Sequence, residues 1–173
     1  MADAHPAVFT IREITPADFE PLGEITVLAY ANRLSPSDAE YLDELRDVAA
    51  RAAAVPVLVA VDPDGRVLGG VAYVPGPGTA LSEGEREGEA GIRMLAVDPA
   101  VGGRGIGRAL TEACIGRARA EGRVGMSLYT LPTMGVAHRL YESLGFRRDP
   151  DRDWEYLPGE SLWSYTIRFE RGA

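Results

Sequence analysis

Met94-Leu-Ala-Val-Asp-Pro-Ala-Val-Gly-Gly-Arg-Gly-Ile-Gly-Arg-Ala-Leu-Thr-Glu-Ala113 decides how the rest of the chain is read. Its first residues are apolar and predict a buried strand. Asp98-Pro99 stops that strand, because proline has no amide proton to give to a ladder. Gly102, Gly103, Gly105 and Gly107 follow, and Ile106, Leu110 and Ala113 begin a helical stripe. Strand, glycine-rich turn and helix in this order aim several backbone amides and the positive end of a helix at one point, where a phosphate fits. A Walker loop is excluded, since it needs a lysine and the chain has none. A dinucleotide fingerprint fails too: the sixth position from Gly103 is Arg108, and from Gly105 it is Leu110.

The rest of the composition narrows the classes. The chain has 173 residues, enough for one domain with a real core. A net charge of −8 argues against nucleic acid and against an anionic membrane surface as partners. It suits a cationic substrate such as an amine, and it suits plain solubility equally well. The lone Cys114 excludes an intramolecular disulfide and a cysteine metal cluster, and no metal is expected. Cys114 sits mid-helix near the inner stripe and is read as packing. No signal-peptide pattern and no run of 18 apolar residues is seen, so a cytoplasmic protein is expected. Abundant Ala, Gly and Arg without Lys read as a high-GC bacterial coding bias.

Residues 1–7 have no period and predict a loose start. Val8–Ile14 reads as a strand, and Thr15-Pro16-Ala17-Asp18 as a helix start. Phe19, Leu22, Ile25 and Leu28 give that helix its inner stripe, with Pro21 distorting the first turn. Ser35-Pro36-Ser37-Asp38 repeats the start signal for one helix running to about Ala53, with Leu42, Leu45, Ala49 and Ala52 inward. Val57–Val61 and Val67–Val74, joined by Asp62-Pro63-Asp64-Gly65, read as a hairpin. From Pro75 to Glu89 the chain is polar and glycine-broken, a mobile loop or a frayed strand. Val124–Thr130 is a strand, and Thr133–Leu144 a helix with Val136, Ala137, Leu140, Tyr141 and Leu144 on one face, closed by Gly145. Phe146 opens a strand, Asp149–Asp153 is a charged turn, and Leu162–Phe169 is a last strand. This order gives a mixed α/β domain built on one sheet.

Two motifs carry a resemblance. The turn reads x-x-Gly-x-Gly with Arg104 and Arg108 beside it, which is similar to the acetyl-CoA loop Gln/Arg-x-x-Gly-x-Gly/Ala of the GNAT N-acetyltransferase family. Gly105 and Gly107 match, and Gly102 stands where Gln or Arg is usual. Ala137-His-Arg-Leu140-Tyr141-Glu-Ser-Leu-Gly145-Phe146 resembles that family's Ala-x-x-Leu-Tyr-x-x-x-Gly-Phe at every specified position. The resemblance spans about 8–170 and implies a single GNAT-like α/β (mixed α+β) domain there, its central sheet mostly antiparallel and flanked by helices.

The resemblance further implies an acetyl-CoA-dependent N-acetyltransferase that moves an acetyl group directly to a primary amine of a small molecule or peptide. The cofactor-binding set it implies is Leu95, Ala96, Val97, Gly102, Gly103, Arg104, Gly105, Ile106, Gly107, Arg108, Ala137 and Tyr141. Amides of Leu95–Val97 would face the oxyanion. Ala137 and Tyr141 lie one helical turn apart, so the small alanine leaves room for the pantetheine arm and Tyr141 would return a proton to the thiolate. The family's Asn seven residues earlier is Met134 here, leaving its polar contact to Thr130 or Thr133. His138 is read as facing away from Tyr141. An amine of pKa about 10.4 is neutral in only about one molecule in a thousand at pH 7, so a base is needed. Glu89 is favoured over Glu87, on the expectation that partial burial raises its pKa. Tyr30, Asn32 and Tyr73 would line the acceptor pocket. A C-terminal edge strand rich in Tyr, Trp and Phe is where a homodimer would pair. Two other readings stay open: a non-catalytic acyl-CoA-binding or sensor module on the same fold, and an interaction domain whose glycine turn is structural.

Overall fold

The computed structural model describes residues 8–33 and 39–171, with the side chain of Asn32 also outside the description. The expected loose start and the helix-start signal at Ser35–Asp38 lie outside the described residues. The fold is mixed α/β, with eight strands and five α-helices among the described residues. The chain divides into two compact units. One takes the chain up to Tyr73 together with Met94–Ala113; the other takes Val74–Arg93 and Cys114 onward.

The first unit opens with β1 (Thr10–Glu13) and a 3-10 turn, Pro16–Asp18. Asp18 closes that turn by accepting from the Thr15 amide at 2.8 Å and pairing with Arg12 at 2.7 Å. Helix α1 (Phe19–Tyr30) follows. Pro21 thus falls in its first turn, where no amide has an intrahelical partner to lose. Leu22 and Ile25 are buried as expected, but Leu28 is 56% exposed. The single helix expected to Ala53 is two: α2 (Ala39–Arg46) and α3 (Val48–Ala54). Asp47 makes the break, because its side chain accepts the Ala50 amide at 3.0 Å and starts a new helix. The inner stripe moves with it to Leu45, Val48 and Arg51, leaving Ala49 exposed. Buried Arg51 donates to the carbonyls of Glu44 and Leu45 (3.3 and 2.7 Å), satisfying the end of α2.

Strands β2 (Val57–Val61) and β3 (Val67–Val74) form the expected antiparallel hairpin. Asp62 Oδ1 accepts from the amides of Asp64 and Arg66 at its turn. Strand β4 (Glu89–Val97) begins five residues before the predicted Met94, because Glu89–Ile92, though partly polar, is buried. In the first unit the strand order is β1-β2-β3-β4. Helix α4 (Ile106–Ala120) follows the glycine turn.

The second unit holds β5 (Gly125–Thr130), α5 (Gly135–Ser143), β6 (Arg147–Arg148), β7 (Trp154–Leu157) and β8 (Glu160–Arg168). Its order is β4-β5-β8-β6, with β7 paired to β8. Of the recorded pairings only β4 with β5 is parallel, so the sheet is mostly antiparallel, as the resemblance implied. Strand β7 was not anticipated: all four residues are exposed, so it has no buried face to give it a period. On α5, Val136 is 76% exposed rather than inward, and His138 is buried beside Tyr141. Three residues make 300° of helical rotation, which puts 138 and 141 on one face; the expectation that His138 faces away is overturned.

Candidate active site

The site builds in the first unit from the end of β4. Met94 has φ 52°, a left-handed conformation rare outside glycine. The parallel ladder of β4 to β5 covers only Glu89–Gly91 against Gly125–Ser127. Beyond it, Leu95 and Val97 are half-buried and Ala96 is buried. Asp98 ends the strand as foreseen. Its Oδ1 accepts the Ala100 amide at 2.9 Å, and its Oδ2 pairs with Arg66 at 2.6 Å.

The glycine turn then lies open. Gly102, Gly103, Arg104 and Gly105 are exposed. Gly103 and Gly105 have φ of 78° and 77°, and a Cβ at either would meet nothing within 4 Å. Glycine is therefore needed there for backbone conformation rather than for room inside the protein. The first helical bond runs from the Ala109 amide to the Gly105 carbonyl at 3.0 Å, so the amides opening α4 have no intrahelical acceptor. Exposed amides at a helix start suit an anion. Arg104 is exposed, while Arg108 is paired along α4 with Glu112 at 3.1 Å. Gly69 of β3 brings these parts together: a Cβ there would stand 2.6 Å from the Ala96 carbonyl, 3.2 Å from Val97 Cα and 3.4 Å from Ile106. The end of β4 and the start of α4 meet over that bare backbone, a role the sequence did not reveal.

The residues expected to line an acceptor pocket lie in the same unit. Tyr30 is half-buried at the end of α1, and burial raises its phenol pKa, with Arg33 and Arg51 pulling it back. Tyr73 is fully buried in β3.

In the second unit, Ala137 and Tyr141 lie on α5, and Tyr141 is 6% exposed. Its ring meets Phe146 edge-on at 5.8 Å and Tyr165 at 6.4 Å between centroids. Thr130, at the end of β5, has a buried hydroxyl with no hydrogen-bond partner among the described residues.

The polar loop before β4 is anchored, not frayed. Glu85 has a fully buried side chain that pairs with Arg93 at 2.7 Å and accepts from Ser82 and the Glu83 amide. Its Oε1 occupies the space over Gly91, so a Cβ at 91 would collide with it. Glu89 is clasped by Arg152 through both oxygens, at 3.0 and 2.8 Å, and accepts the Arg86 amide at 2.9 Å. Burial pushes the Glu89 carboxyl up, but Arg152 and the Arg86 amide outweigh it, so its pKa lies below the ordinary value. The expectation of a raised pKa is overturned. Cys114 is buried and its thiol is pushed up to about 12, which leaves no thiolate for nucleophilic work. No group of three or more His, Cys, Asp or Glu able to hold a metal occurs among the described residues, and no helix among them is long and apolar enough to cross a membrane.

Comparison with known proteins places the chain in a class. Residues 15–146 match the model of the Acetyltransferase (GNAT) family, and the chain belongs to that family. A mycothiol acetyltransferase from Nocardiopsis dassonvillei is 40% identical over 107 residues, covering 56% of this chain and 32% of that protein. The chain therefore spans about a third of the length of that relative. Among solved structures, a GCN5-related N-acetyltransferase from Kribbella flavida is 26% identical, with a TM-score of 0.65 over 95% of this chain and all of that one. A GNAT family acetyltransferase from Brucella melitensis, solved in complex with acetyl-CoA, is 25% identical, with a TM-score of 0.61 over 96% of this chain and 92% of that one.

Proposed function

We propose that this protein transfers the acetyl group of acetyl-CoA to an amine of a small molecule. The observation that carries this reading is the exposed turn Gly102–Gly105 at the head of α4, with its left-handed glycines and helix-opening amides that have no intrahelical acceptor. Such amides suit the diphosphate of a coenzyme. The Brucella melitensis neighbour with acetyl-CoA supports the identity of the donor, and the relative named mycothiol acetyltransferase favours a small-molecule acceptor.

In this reading Gly103–Arg108 hold the diphosphate by their amides, with Arg104 adding charge. Amides of Leu95–Val97 serve the oxyanion as the amine nitrogen attacks the thioester carbon. The kink at Met94 turns the backbone at the residue before them. Ala137 leaves room for the pantetheine arm, and the unpartnered Thr130 hydroxyl supplies the polar contact that Met134 cannot. Tyr141 gives its proton to the sulfur as the C–S bond breaks. Glu89 is a weaker candidate for the base than the sequence made it, since both oxygens are already occupied by Arg152. Tyr30 and Asn32 remain the acceptor-side candidates, and Tyr73 is assigned to the core.

The test is a mass-spectrometric screen of small amines with acetyl-CoA, reading a gain of about 42 daltons on the acceptor and release of free thiol. Thiol release with one amine class supports the reading. Tight acetyl-CoA binding with no turnover on any amine would convert it to a sensor module.

A further inference from the structure

Helix α5 begins without the side-chain cap a short helix ordinarily uses. Its N-cap position is Met134, which makes no capping bond. Its first residue is Gly135, of a type poor at forming helix. Nine residues do not hold a helix by themselves. The start is instead held by His138. Its Nε2 lies 2.9 Å from the Leu131 carbonyl oxygen. A carbonyl only accepts, so Nε2 carries the proton. The same oxygen accepts the Met134 amide at 3.0 Å. One carbonyl thus gathers the turn Leu131–Met134 and the first turn of α5.

The imidazole is itself fixed. It is 9% exposed and stacks on Trp163 and Tyr165 of β8, with centroids 5.3 and 5.4 Å away and planes 21° and 26° apart. Tyr165 also touches the ring of Tyr141, and its hydroxyl donates to Glu142 at 3.2 Å. Strand β8 therefore supports both faces of the problem: it pins the histidine that starts the helix and packs on the tyrosine one turn later.

We propose that His138 is a positioning residue, taking over the missing cap and thereby setting where the Tyr141 phenol stands. This rests on the acid role given to Tyr141 above. The N–H tie and the ring stack are separable. His138→Phe keeps an aromatic ring and loses the donor. His138→Gln keeps a donor at similar reach and loses the stack.

The experiment compares the parent, both variants and Tyr141→Phe. It reads thiol release from acetyl-CoA with a panel of small primary amines, acetyl-CoA affinity by calorimetry, and amide hydrogen exchange at Met134 and His138, below the melting temperature of each protein. The expected result for His138→Phe is a fall in kcat of about tenfold or more, as befits a displaced catalytic group, with acetyl-CoA Kd within about threefold. Its Met134 and variant-138 amides exchange faster, and His138→Gln recovers most of both losses. A folded His138→Phe with parental kcat, or equal losses in the two variants, overturns the proposal. If Tyr141→Phe turns over like the parent, the acid role falls instead; faster exchange in His138→Phe with recovery in His138→Gln then still establishes the tie at the head of α5.

Discussion

Burial raises the Glu89 pKa, and Arg152, with help from the Arg86 amide, brings it below the ordinary value. Arg152→Met removes the guanidinium and leaves the buried carboxylate with the Arg86 amide. The loss expected from breaking a buried pair is about 3–5 kcal/mol at pH 7, read by urea unfolding. The pH dependence has a definite sign. Folding depresses the Glu89 pKa, so the pair stabilises above the unfolded value of about 4.3, and that contribution is lost as pH falls through the depressed folded value. The difference between parent and Arg152→Met therefore shrinks as pH is lowered from about 5 toward about 3, and an unchanged gap across that window would refute the pairing. Tyr141→Phe removes only a hydroxyl; kcat is expected to fall about 10²-fold or more while acetyl-CoA affinity changes less than threefold. Cys114, buried with a thiol near 12, should resist iodoacetamide in the native state and react on unfolding.

In the turn leading into α4, Gly105→Val places a branched side chain at φ 77°, where a non-glycine residue is strained, and puts methyl groups in front of the amides. Acetyl-CoA affinity is expected to drop at least tenfold, a loss of about 1.4 kcal/mol or more by calorimetry; an unchanged Kd would contradict the assignment of this turn. At the break between α2 and α3, Asp47→Ala removes the cap and should cost about 1 kcal/mol without changing acetyl-CoA binding. The hairpin β2–β3, the stop at Asp98-Pro99 and the turn of Gly102–Gly107 were legible because period, proline and glycine act locally. The split at Asp47 was hidden because an aspartate between two apolar stripes reads as one exposed helical position. The inward His138 was hidden because the rings that bury it, Trp163 and Tyr165, come from β8, distant in sequence. Glu85 and Glu89 were hidden because their partners, Arg93 and Arg152, are 8 and 63 residues away, and no local pattern announces a buried ion pair across such spans.

The molecule as a whole offers the most direct check on the coenzyme. A ligand that binds only the folded chain, present at 100 times its Kd, adds about 2.7 kcal/mol of stability, which calorimetry reads as a raised melting temperature. Acetyl-CoA should produce that shift, and a flat response at millimolar concentration would withdraw the enzymatic reading. Fold class, the β2–β3 hairpin and the glycine turn before α4 could be read in advance; the exposed β7 and the anchoring of residues 82–89 depend on contacts that only the folded chain brings together. One of those contacts reaches into the history of the sequence. The acid seated over Gly91 ties position 91 to position 85 in one direction only. A methyl group at 91 would need the glutamate at 85 to leave its seat, so descendants that keep this buried acid are expected to keep the glycine, while those that lose the acid are free to change both.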